Sequence, residues 1–217
     1  AGNSIGGDRT AGEGNVISGN VGSGILIDSA DVTATIIRGN NIGVDAAGAA
    51  LGNGLHGIDV TGGASDTEIG AAGAAFRNVV SSNANVGIRI SGSGTDDSTV
   101  VGNYIGVDPT GLAVRGNGLA GVHVEGGAKR TVVGGDASLG EGNVVSGNGD
   151  DGITVTGTGT DGTIITGNVV GTDKDGVDSI GERGFANTLD GIGIDSGSDG
   201  TVVGGATSGL RNLLSGN

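Results

Sequence analysis

At 217 residues the chain has the length of one or two ordinary domains, yet it carries 52 glycines, one proline, no cysteine and only two Phe and one Tyr. Its core must therefore be built from Val, Ile, Leu and Ala; disulfides and thiolate metal sites are excluded, and no apolar run is long enough for a bilayer-spanning helix. Ten basic against 24 acidic residues leave a net charge of −14, which argues against nucleic acid or an anionic membrane surface as partner.

The chain opens on A-G-N-S-I-G-G-D, without Met, and reads as a processed or excised piece. N-S-I-G-G (3–7) has the form of T-V-V-G-G further on (131–135, 201–205). G-N-V-I-S-G-N (14–20) follows, then G-I-L-I (24–27), T-I-I (35–37) and G-N-N-I-G-V-D (39–45). From here the same phrases return in the same order. G-I-x-I recurs at 57–60, 87–90, 121–124, 152–155 and 191–194; T-I-I has counterparts at 67–69, 99–101, 131–133, 163–165 and 201–203. The G-N-V-I-S-G-N phrase returns around Asn78, Asn143 and Asn212, and it aligns with G-N-N-I-G-V-D at the Gly-Asn, at the apolar fourth position and at the last Asn or Asp. Glycine at this density without a period would indicate a disordered chain; with one it indicates repeats that stack.

Each coil of roughly 32 residues thus predicts three short strands rich in β-branched residues, joined by Gly, Asn, Asp and Ser corners that tolerate left-handed backbone. Extra residues alternate between two corners: after the third strand at 46–56, 109–120 and 174–190, and between the second and third strands at 70–77, 134–142 and 204–211. Short strands without helical crossovers predict an all-β fold, a right-handed parallel β-helix (solenoid) of about 6–7 coils, residues 1–217 forming one domain. A β-propeller would need antiparallel blades and aromatic motifs, which are missing. Three rows of equivalent residues are expected along the stack. One holds Asn15, Asn40, Asn78, Asn103, Asn143, Asn168 and Asn212, whose amides can hydrogen-bond from coil to coil. A second alternates Asn20, Asp45, Asn83, Asp108, Asn148, Asp173 and Asn217, spacing the like charges two coils apart. A third holds Thr35, Thr67, Thr99, Thr131, Thr163 and Thr201, with the register near Thr99 left open because T-V-V-G-N is one residue shorter than T-I-I-R-G-N.

These phrases resemble the repeat of right-handed parallel β-helix proteins of the pectate-lyase-like superfamily and, more narrowly, repeat regions of large secreted or surface proteins of bacteria. The resemblance covers essentially the whole chain and implies the fold, not an activity: the superfamily includes polysaccharide lyases, hydrolases and epimerases, phage tailspikes and non-catalytic adhesins. It implies that any glycan chemistry would run along the outer face of one parallel sheet. Alternation along G-I-x-I turns Asp59, Arg89, His123 and Glu125 outward on three adjacent coils, with His56 at the edge, a set able to support acid–base work on a uronate chain. The competing reading is a solvated ladder of favourable charge pairs, since no aromatic sugar platform accompanies the four. Asp173, Asp175, Asp178 and Glu182 are spaced somewhat like a calcium loop but lack its register, so calcium is the one cofactor considered and an ordinary surface loop the alternative. An ice-binding threonine face is weighed and set aside, because each coil offers a single Thr.

The favoured reading is a non-catalytic structural or adhesive segment of an extracellular or cell-surface protein (stalk, adhesin body or filament subunit). It would continue in a longer chain or self-associate end to end, with glycans as further partners and no nucleic acid or membrane insertion. The alternative is a polysaccharide-active β-helix enzyme acting on acidic glycans along the G-I-x-I sheet.

Overall fold

The computed structural model of the protein describes residues 2–177 and 183–217. Asp178 and Glu182, two of the four calcium candidates, lie outside the described residues.

The chain winds as a right-handed parallel β-helix with three sheets. Sheet I collects the G-I-x-I strands: Ile25–Asp28, Ile58–Thr61, Ile88–Ser91, Val122–Glu125, Ile153–Thr156 and Ile192–Asp195. Sheet II has seven strands, from Ser4–Gly6 to Val202–Val203, and sheet III seven, from Val16–Ile17 to Leu213–Leu214. Pairing is parallel throughout, each strand lying between its equivalents one coil below and one above. We number the layers 1 to 7 by their sheet III strand.

The core repeats with the coil. A middle layer turns four aliphatic side chains inward, as Ile88, Ile90, Val100 and Ile105 do, and the next supplies Val122, Val124, Val133 and Val145, all fully buried. At about 1.5–3 kcal/mol for each buried aliphatic side chain, this column is the main stabilising contribution of a layer. Sheet III is largely apolar on both faces, with Asn41 the polar member of its outer file. Val79, Tyr104 and Val144 point outward, but Val44, Val107 and Phe185 from the insertions after that sheet pack over them in a second buried cluster.

The insertions alternate as expected. Odd layers carry short 3-10 loops between sheets II and III, at Arg9–Ala11, Ala74–Phe76, Ala137–Leu139 and Ser208–Leu210. Even layers carry folded-back excursions after sheet III, closed by the antiparallel bridges Val44↔Ala50 and Val107↔Val114.

The first asparagine row is continuous. Asn15 donates its side-chain amide to Asn40 Oδ1 at 2.9 Å, and the relay runs on through Asn78, Asn103, Asn143 and Asn168 to Asn212 at 2.9–3.1 Å. The second row differs from the expected one. Asn20, Asn53, Asn83, Asn117, Asn148, Asn187 and Asn217 form it, linked at 2.8–3.0 Å. Asp45 and Asp108 are not members. Each opens an excursion and accepts backbone N–H groups within it, Ala47 and Ala49 at 2.8 Å for Asp45, Leu112 and Ala113 at 3.0 and 3.1 Å for Asp108. Asp173 does the same, and the corner resumes only after the excursion, so the charge-spacing argument falls away: the row is neutral amide throughout. In the third row Ser98 replaces Thr99, because Thr99 pairs with Glu68 and Val132 one position further along. Thr35, Thr67, Ser98, Thr131 and Thr163 are buried, so this row offers no outward array to ice.

Candidate functional site

Period-two alternation on sheet I places Leu26, Asp59, Arg89, His123, Thr154 and Gly193 in one outward file. Glu125 stands one pleat further on its strand, between Ser91 and Thr156. The structure therefore brings Asp59, Arg89, His123 and Glu125 together. Arg89 is the centre of the cluster: its Nε donates to Glu125 Oε1 at 2.6 Å, one terminal nitrogen to Asp59 Oδ1 at 3.3 Å and the other to Ser91 Oγ at 2.9 Å. His123 Nε2 lies 3.7 Å from Glu125 Oε2, beyond hydrogen-bond length. Asp59, expected as an open carboxylate, is 9% exposed beneath the guanidinium.

The electrostatics follow from this packing. Burial disfavours the Arg89 cation, but its hydrogen bonds to Glu125 and Asp59 and their charges outweigh that and raise its pKa. One guanidinium thus holds both carboxylates, and most of its fork is committed to protein acceptors. For acid–base work on a glycan a carboxylate would have to be free to exchange a proton with the substrate, whereas here both are hydrogen-bonded to one guanidinium.

His56 sits at the corner preceding Asp59, half-buried, with Nδ1 lacking a partner among the described residues. Burial pushes its pKa down; the Asp59 charge, the larger of the opposing pulls, does not restore it. A His whose folded pKa is depressed stabilises the fold above its unfolded value of about 6.5 and loses that contribution as pH falls through the folded value. Thermal melts between pH 8 and 5 are thus expected to show a stability loss on acidification that His56→Asn reduces. An unchanged slope in that variant would remove His56 from the account.

Of the calcium candidates, Asp173 accepts the N–H groups of Asp175 and Val177 at 3.0 and 2.9 Å, and Asp175 pairs with Lys174 at 2.7 Å. No grouping of three or more His, Asp or Glu able to hold a metal occurs among the described residues. The arginines above sheet III, Arg9 and Arg77, escaped sequence reasoning. For Arg77 the signal is faint, an arginine just before the corner asparagine at 77–78 that recurs at 211–212; Arg9, followed by Thr10, has none.

No family model matches the sequence, and no curated protein matches it. In fold the chain is similar to the periplasmic alginate epimerase AlgG. The crystal structure of that enzyme superposes with a TM-score of 0.52 at 18% identity, over 92% of this chain and 42% of the epimerase. The likeness establishes the shared β-helical fold, and the chain spans less than half the length of AlgG. No helix among the described residues is long and apolar enough to cross a membrane.

Proposed function

We propose that the chain is a rigid, non-catalytic β-helical segment of an extracellular, cell-surface or periplasmic protein. The observation that carries this reading is the state of its most reactive-looking cluster: Arg89 ties up Asp59 and Glu125 on an outward sheet face. What the fold invests in is axial regularity, with two asparagine files in which a layer donates to the next and accepts from the one before. That pattern is the same from layer to layer, which suits continuation in a longer solenoid or end-to-end stacking of copies. The periplasmic location of AlgG supports a site outside the cytoplasm.

A second reading, a polysaccharide-active enzyme, draws on the likeness to an alginate epimerase and on His123, whose Nε2 is free of hydrogen bonds among the described residues beside Glu125. Incubation with alginate and polygalacturonate, with and without calcium, separates the two. Absorbance of unsaturated uronates reports lyase activity, and NMR of the recovered polymer reports epimerisation. The spacer reading expects no turnover; turnover abolished by His123→Ala in a protein with an unchanged melt would replace it with the enzyme.

A further inference from the structure

Nine of the ten basic side chains belong to the described residues, and five of them pair with carboxylates: Arg38, Arg89, Lys129, Arg130 and Lys174. Arg9, Arg77, Arg115 and Arg211 have no such partner among the described residues. In a chain of net charge −14, with 24 acidic residues, four arginines without a carboxylate partner call for a reason. Three of the four, Arg9, Arg77 and Arg211, lie within or directly after the 3-10 loops that border sheet III.

Two of these arginines are held in place rather than left loose. Arg77 donates Nε to Gly102 O at 3.2 Å, and its guanidinium lies 3.8 Å from the centre of the Tyr104 ring, the chain's one tyrosine. Stacking and a backbone anchor fix the plane of the fork, while both terminal nitrogens are without a partner among the described residues. Arg9 is set by Asn41 Oδ1 at 2.7 Å and by the Arg77 carbonyl at 3.3 Å. Burial and then the neighbouring Arg77 charge both lower its pKa, as expected where two cations share a partly desolvated wall.

Each arginine lines a cleft on the outer side of sheet III. The first, about 160 Å³, runs beside Arg9, Asn15 and Asn41; the second, about 240 Å³, beside Arg77, Tyr104 and Lys174. The Arg9 and Arg77 loops are two layers apart, about 10 Å along the axis.

We propose that this flank binds an acidic polysaccharide lying along the helix axis, the Arg77 fork taking one carboxylate or sulfate and Arg9 another. A planar guanidinium with both terminal nitrogens free is the donor geometry that grips an oxyanion bidentately, and cations repeated along the axis suit an anion repeated along a polymer. Nucleic acid is the poorer occupant, since Tyr104 is covered by Arg77 and offers no open face to a base. The proposal goes beyond the spacer reading: a spacer need bind nothing on this face, and failure here leaves that reading intact.

The test is binding of fluorescently labelled polygalacturonate and dextran sulfate to the full chain at low salt, with neutral dextran as control; the two anionic probes distinguish carboxylate from sulfate. Binding of at least one anionic probe but not of neutral dextran is expected. Arg77→Lys, which keeps the charge and loses the fork, and Arg9→Gln should each weaken it about tenfold. Arg130→Gln, at an exposed ion pair with Asp97 elsewhere, should change nothing. Melts of each variant guard against misfolding; should Arg77→Lys not fold, Arg9→Gln and Lys174→Gln, the latter also lining the second cleft, decide. Absence of binding, equal binding of neutral dextran, or equal affinity in the folded variants would each overturn the proposal. So would stronger binding of single-stranded DNA, or self-association by ultracentrifugation that the arginine variants abolish.

Discussion

Asn103→Ala is expected to destabilise the protein by about 3–5 kcal/mol and to lower the melting temperature by on the order of 10 °C. Asn103 is fully buried in the central layer, and its side chain takes part in five hydrogen bonds. Its amide donates to Ile69 O at 2.8 Å, Val101 O at 3.1 Å and Asn143 Oδ1 at 3.1 Å. Its oxygen accepts from the Asn78 backbone at 3.2 Å and the Asn78 side chain at 3.0 Å. Alanine removes all of these, and the buried Asn78 N–H loses its acceptor. Leaving a buried polar group unsatisfied costs more than the net value of the bond that satisfied it. Asn15→Ala provides the contrast, for Asn15 is exposed and gives up only its side-chain bond to Asn40, its backbone N–H still donating to Asn40 Oδ1; about 1 kcal/mol is expected. Chemical denaturation of the two variants measures the difference, and amide exchange at Asn78 localises it. Equal losses at the two positions would mean that the ladder is a by-product of stacking rather than a cause of it.

That ladder was legible in the sequence because Asn103 and its equivalents immediately precede their strand, where no insertion intervenes. The second ladder was misassigned for the complementary reason. In even layers the chain leaves the coil directly after sheet III, so Asp45, Asp108 and Asp173 occupy the counted position while Asn53, Asn117 and Asn187 return to the corner in space. G-N-G-L at 52–55 and again at 116–119 marked that return. Ser98 was missed because register follows the inward apolar residue: Val100 must stack on Ile69 and Val133, which shifts the hydroxyl row back by one.

The sheet I cluster was readable down to the facing residues, since side-chain alternation and strand pairing fix it almost alone. How its charges are shared was not. That Arg89 takes both carboxylates depends on rotamers and on Ser91 as third acceptor, which no spacing encodes. The arginine flank was least legible: it needs the 3-10 loops of alternate layers to fold over one sheet, bringing Arg9 to Asn41 across 32 residues and Arg77 to Tyr104. Arginine-lined clefts in an acidic chain are invisible to net charge, which averages over the faces a ligand tells apart.

Gly121→Ala should cost about 3 kcal/mol or more, although it adds a single methyl group. The first residue of each G-I-x-I phrase from Gly24 to Gly191 lies where one coil packs closely against the next. A Cβ at Gly121 would sit 2.7 Å from Gly152 O and 2.8 Å from Asn148 Nδ2, and closer still to a methyl of Val145. None of the three can readily yield. Gly152 O accepts Val122 N at 3.0 Å, Asn148 is bound into the second ladder at 3.0 Å, and Val145 is fully buried in the core. The methyl would have to force two layers apart, lengthening the Val122–Gly152 bond and shifting the strand that carries His123 and Glu125. Gly22→Ala is the control, with open space around the position and a backbone angle any residue adopts, so a change within about 0.5 kcal/mol is expected. Urea midpoints for the pair, read beside the Arg89–Glu125 contact by crystallography, test the cause as well as the size. If Gly121→Ala behaved like Gly22→Ala, the spacing between coils would be softer than the ladders require, and the glycine opening each G-I-x-I phrase would need an explanation other than contact between layers.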